Sequence, residues 1–151
     1  MKNTITLGFC LIVFLFNACK TEPDSKAVKK EVLNLHDKLM IDGGKVMSNK
    51  MRLDSVLKSG KMKSPEDTAD LKALITRLNQ ADENMMDWMH GFKDDFKGKN
   101  EQEDLDYYKS EMVKVRQVED DYIKVTKASD SVLKEYNIEP AAKMNMEHHK
   151  H

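Results

Sequence analysis

The stretch Ser64-Pro65-Glu66-Asp67-Thr68-Ala69-Asp70-Leu71-Lys72-Ala73-Leu74-Ile75-Thr76-Arg77-Leu78 decides the fold. Ser64 carries an oxygen that accepts from the free amides of a first helical turn. Pro65 suits the first helical position, where its missing amide hydrogen costs nothing, and Glu66 and Asp67 complement the positive helix end. Behind this start, Leu71, Leu74, Ile75, Leu78, Ala81, Met85, Trp88, Met89, Phe92 and Phe96 recur at three- and four-residue steps. That spacing is one face of a helix. Gly98 closes the run, so the pattern predicts a helix over 65–97.

Upstream, Val28, Val32, Leu35, Leu39, Val46, Leu53 and Val56 keep the same period, widened by Leu33, Met40 and Met47. Asp24 or Ser25 caps this run. Asp42 and Asn49 interrupt it, and Gly43-Gly44 lies in its middle. Each interior glycine costs about 1 kcal/mol relative to alanine, so a kink or local opening is expected within a helix over 26–60. Downstream, Asn100 with Glu103 makes an approximate capping box. Leu105, Tyr108, Met112, Val115, Val118, Tyr122, Val125, Val132 and Tyr136 then mark a helix over 101–136, ended by Asn137 and Pro140.

Three helices of matched length, each roughly 50 Å at 1.5 Å per residue, with short links between them, predict an all-α protein. The architecture is an antiparallel up-down-up three-helix bundle with long coiled-coil-like helices. A homo-oligomeric coiled coil is the alternative, because the stripes are wide and three helices bury less than four. The bundle is expected to span 26–137.

The amino-terminal residues read differently. Lys2 precedes a short apolar run, Ile5 to Phe16, and then Ala18-Cys19. This is the layout of a secretory leader, and the run is shorter than the roughly 20 apolar residues a membrane-spanning helix needs. Cys19 resembles the lipidation cysteine of a bacterial lipoprotein, although Phe16 and Asn17 depart from the usual residues at those places. The expectation is a leader over 1–18 and a tether over 19–25, with Cys19 as the lipidation site and the protein's link to a membrane. The location implied is the cell envelope. Lys20 leans to the outer membrane by resemblance; periplasmic and surface-facing placements both stay open.

Composition excludes several classes. The formal net charge is −1 over 151 residues, so there is no basic surface for nucleic acid. After Cys19 the chain has no further thiol, which excludes cysteine nucleophiles and a disulfide framework in the mature chain. Six glycines and three prolines, with aromatics at 7%, favour helices. No phosphate-cradling loop or nucleophile motif occurs, and the acids sit in charge runs with lysine, so no enzymatic activity is expected.

Two segments have a further likeness: Lys30-Glu31-Val32-Leu33-Asn34-Leu35-His36-Asp37-Lys38-Leu39-Met40 and Asn84-Met85-Met86-Asp87-Trp88-Met89-His90-Gly91-Phe92. With the leader, they resemble small helical lipoproteins of Bacteroidota-type bacteria, often labelled "viral A-type inclusion protein". The resemblance implies a helical lipoprotein of no established activity and carries over no functional residues.

Three clusters bear on chemistry. Met85, Met86, Asp87, Trp88, Met89 and His90 read either as a soft-metal or haem site or as packing, with Met filling uneven space around the indole; helical spacing favours packing. His36 and Met40 share a face as an imaginable ligand pair, against the blander reading of a half-buried histidine. The tail is the best chemical candidate. Met144, Met146, His148, His149 and His151 offer thioethers for Cu(I) and imidazoles for copper, nickel or zinc. A flexible 138–151 tail with weak transition-metal binding is expected, and otherwise no cofactor. The functional expectation is a structural or interaction module meeting an envelope protein. An envelope metal-binding protein is the alternative.

Overall fold

Three capped starts set three helices in the computed structural model, which describes residues 24–62 and 64–142. These are α1 (Ser25–Lys58), α2 (Pro65–Gly91) and α3 (Glu101–Glu135). Asp24 caps α1 by accepting from the Ala27 amide at 2.7 Å. Ser64 accepts from Asp67 at 3.0 Å and Asn100 from Glu103 at 3.0 Å. The capping box at α3 is modified: the Glu103 carboxylate reaches back to the Lys99 amide at 2.7 Å. A β-carbon on Gly98 would lie 2.4 Å from that of Glu103, so this turn admits only glycine.

The bundle is up-down-up. Contacts between α1 and α3 climb both helices together: Ser25 with Glu101, Lys38 with Glu119, Lys45 with Asp130. These two helices are therefore parallel. Contacts between α2 and α3 run in opposite senses, from Trp88 with Glu111 to Asn84 with Asp121. Along α1, positions 25, 32, 39, 46 and 53 are all buried, a strict seven-residue repeat. A seven-residue repeat keeps one seam facing its neighbours, as in a coiled coil. Val32, Leu39, Val46 and Leu53 are wholly buried, each worth about 1.5–3 kcal/mol relative to exposure. They meet Leu71, Leu74 and Leu78 of α2, and Val115, Val118, Val125 and Leu133 of α3, in one core.

Three expectations change. First, α2 ends at Gly91, not at residue 97. Phe92 and Phe96 keep the helical spacing but are used otherwise: Phe92 stacks on Trp88 at 5.0 Å, and Phe96 on Tyr107 at 4.0 Å. The Tyr107 hydroxyl accepts from the Lys93 amide at 2.6 Å, and the Tyr108 hydroxyl donates to the Asp94 carbonyl at 2.9 Å. These tertiary bonds outweigh the few tenths of a kcal/mol per residue at stake in helix propensity. Second, α1 runs unbroken through Gly43-Gly44. A β-carbon on Gly43 would lie 3.1 Å from the Tyr122 hydroxyl, so this glycine lets a buried ring approach the backbone. Third, the start of the 138–151 segment is held. Asn137 turns left-handed (φ 57), and the Asn137 and Ile138 amides bond to the carbonyls of Lys134 and Leu133 at 2.9 Å each. That is a Schellman ending. The chain then doubles back until the buried Ala141 donates its amide to Asn49 at 2.9 Å.

Candidate functional site

The residues singled out in the leader and tail, Cys19 and then Met144, Met146, His148, His149 and His151, lie outside the described residues. The tail's path begins at Ala141 beside Asn49 of α1. Arg52 donates to the Glu139 carbonyl one turn further along the helix. Among the described residues no helix is long and apolar enough to cross a membrane. Nor is there among them a group of three or more His, Cys, Asp or Glu side chains arranged to hold a metal ion.

The cluster Met85–His90 divides by face. Met85 and Trp88 are buried and belong to the core, as the helical spacing predicts. Asp87 and His90 are exposed on the other side. The Trp88 indole N–H donates to Glu111 at 2.9 Å. Glu111, itself buried, also receives Lys114 at 2.7 Å. Both oxygens of this carboxylate are thus engaged, which makes its burial tolerable.

Met89 points elsewhere, into the seam between α1 and α2. There Met40, Met47, Met85, Met86 and Met89 line a groove of about 210 Å³, floored by Leu39, Gly43 and Tyr122. His36 of α1 meets Met89 across the same seam. Its Nε2 lies 3.2 Å from the Met89 sulfur, and its Nδ1 lies 3.0 Å from a carboxylate oxygen of Asp37. The Trp88 ring centroid is 5.8 Å from the imidazole. The His36–Met89 contact joins residues 53 positions apart, which helix periodicity does not register. The pair read from the sequence, His36 with Met40, shares the α1 side of the seam, and the structure adds Met89 across it.

Tyr122 closes the groove from α3. It is buried, and that burial pushes its phenol up to about 12, with the carboxylates of Asp82 and Asp42 adding to the shift. Tyr108, at the other end of the core, is also raised, chiefly by burial. Lys29 is raised by its hydrogen bond to Asp94, an ion pair of 2.9 Å.

A second polar constellation was legible only as an interruption of a stripe. Asn49 is wholly buried and uses its amide completely. Its nitrogen donates to Ser129 at 2.9 Å and to Asp130 at 2.6 Å, while its oxygen accepts from Ala141. Lys45 completes the set on Asp130 at 2.6 Å. This network joins α1, α3 and the returning segment; its groups are spent on one another. No protein-family model, curated protein or solved structure matches the chain.

Proposed function

We propose that this chain is a lipid-anchored protein of the bacterial cell envelope. In this reading its helical bundle serves as a structural or interaction module and not as an enzyme. The observation that carries the reading is the leader: a dozen-residue apolar run, Ile5 to Phe16, ending in Ala18-Cys19. The bundle supports it in one respect. Asp24 already caps α1, five residues after Cys19, and an extended chain of that length reaches at most about 18 Å. A lipid on Cys19 would hold the end bearing the α1 start and the 92–100 loop close to the bilayer. Lipid anchoring is stable when more than one chain is attached. The buried polar groups also fit a non-catalytic role, because Asn49, Ser129 and Glu111 are engaged in holding helices together. Mass spectrometry of the native protein tests the anchor. A product beginning at Cys19 with diacylglycerol on its sulfur is expected, and Cys19→Ala should move the protein from membrane to soluble fractions. A leader retained in full, or an unmodified Cys19, contradicts it.

A second reading is favoured by one observation: five thioethers and imidazoles lie within eight residues of the tail. On this reading Met144, Met146, His148, His149 and His151 capture envelope copper, nickel or zinc. Removing residues 143–151 should then abolish high-affinity Ni(II) and Cu(II) binding. Unchanged affinity rejects it. An envelope protein partner is sought by crosslinking in intact cells.

A further inference from the structure

We infer that the outer face of α3 is a docking surface for a second copy of this chain, with the two α3 helices paired antiparallel about Val118.

The face consists of what the core leaves over. α3 buries Tyr108, Val115 and Tyr122, seven residues apart, and beside them Glu111, Val118 and Val125 at the same interval. A seven-residue repeat holds both rows against the rest of the bundle. Val113 and Asp120 stand five residues beyond Tyr108 and Val115, nearly one and a half turns round the helix. They therefore point away from the core, and Arg116 and Ile123 continue the same outward stripe. Val113 is 70% exposed and Ile123 56%. Between these two apolar side chains Arg116 and Asp120 are exposed, and neither is paired with another described side chain.

The order of these four residues is self-complementary. Reversed about Val118, the stripe sets Val113 of one copy against Ile123 of the other, and Arg116 against Asp120. Each contact occurs twice, as the isologous interface of a two-fold dimer requires. The register that makes these pairs also overlaps the two helices completely, because Val118 lies 17 residues from either end of α3 (Glu101–Glu135). A parallel pair in register would set Arg116 on Arg116 and Asp120 on Asp120, two layers of like charge that select against it. Beyond the central layers Lys109 would face Lys127 at the solvated rim. The contact is thus confined to the middle turns and belongs to the small, weak class. It does not depend on lipidation of Cys19. The two α1 starts lie at opposite ends of the pair, so copies anchored in one bilayer would lie along it, where tethering raises their effective concentration.

Sedimentation equilibrium of the full chain, from micromolar to millimolar concentration, tests the pairing. A mild detergent masks the apolar run Ile5 to Phe16. A monomer–dimer equilibrium is expected. Arg116→Glu and Asp120→Arg each replace two attractive contacts with two repulsive ones, so each should weaken dimerisation about tenfold or more. The double variant Arg116→Glu/Asp120→Arg restores both contacts with reversed sign and should dimerise like the parent. Val113→Ser should also weaken dimerisation, and helicity should be unchanged in every variant because all these positions are exposed. In a parallel pair the single charge variants would merely reverse the sign of a like-charge layer and change nothing. The proposal is overturned by a monomer at every concentration, by single charge variants or Val113→Ser dimerising like the parent, or by a double variant that stays monomeric.

Discussion

The two seams of α1 are built from opposite materials. Against α3 it presents small and polar groups with fixed partners. Gly43 admits the Tyr122 ring, Asn49 bonds Ser129 and Asp130, and Lys45 pairs with Asp130. Against α2 it presents Met40 and Met47, which face Met85, Met86 and Met89 across an open groove. A buried amide at a seam position fixes register, because any slip leaves its donors and acceptors unpaired. Methionines do the reverse: they adapt to uneven space and tolerate change. The first seam specifies the fold, and the second adapts its packing to it.

This contrast fixes an order of sensitivity. Asn49→Ala should be the most damaging change, because it leaves the buried Ala141 amide without its partner and removes the side-chain bonds that tie α1 to Ser129 and Asp130 of α3. A loss of about 3 kcal/mol is expected from unpaired buried groups and the space left behind. Urea unfolding measures the loss, and faster hydrogen exchange at Ala141 should accompany it. Gly43→Val should cost about 2 kcal/mol by overpacking against Tyr122, again read from urea unfolding. The same substitution at Gly91, where a β-carbon meets nothing within 4 Å, should cost far less.

Alkaline pH tests the same seam without mutation. The folded protein holds the Tyr122 proton up to about 12, above the ordinary value of 10.0. Between those values the unfolded chain has released this proton and the folded chain has kept it. The stabilisation is therefore whole below pH 10 and lost as pH rises toward 12. Absorbance at 295 nm should show a late tyrosine ionisation near pH 12, and Tyr122→Phe should remove that late step. At the bottom of the scale, Met85→Leu should cost less than about 1.5 kcal/mol and Met86→Leu no more than about 0.5 kcal/mol by thermal unfolding. A methionine seam as exacting as the polar one would show losses like that of Asn49→Ala.

The helix starts were legible because caps are local. Ser64, Asn100 and Asp24 each bond within three residues of themselves. The apolar stripes were legible for the same reason, since Val32, Leu39, Leu74 and Val115 need only a period to declare their face. What stayed hidden depends on partners far along the chain. The end of α2 follows from Tyr107 and Tyr108 capturing the 92–96 segment, though Phe92 and Phe96 keep the helical rhythm. Gly43 read as a breaker because its reason, Tyr122, lies 79 positions away, and Asn49 read as an interruption because Ser129 lies 80 positions away. A polar residue inside an otherwise apolar stripe was the available signal for that network. His36 and Met89 gave none, since each looks ordinary on its own helix.

The parallel α1–α3 seam within one chain is the claim on which the rest stands, and carbodiimide crosslinking tests it most directly. This chemistry joins a lysine to a carboxylate only where they touch. In an equal mixture of light and heavy-nitrogen protein, mass spectrometry should find Lys38 joined to Glu119 and Lys45 to Asp130, always within a single isotopic chain. Links between light and heavy chains at these positions, or links joining Lys38 to Asp130 and Lys45 to Glu119 instead, would contradict the bundle described.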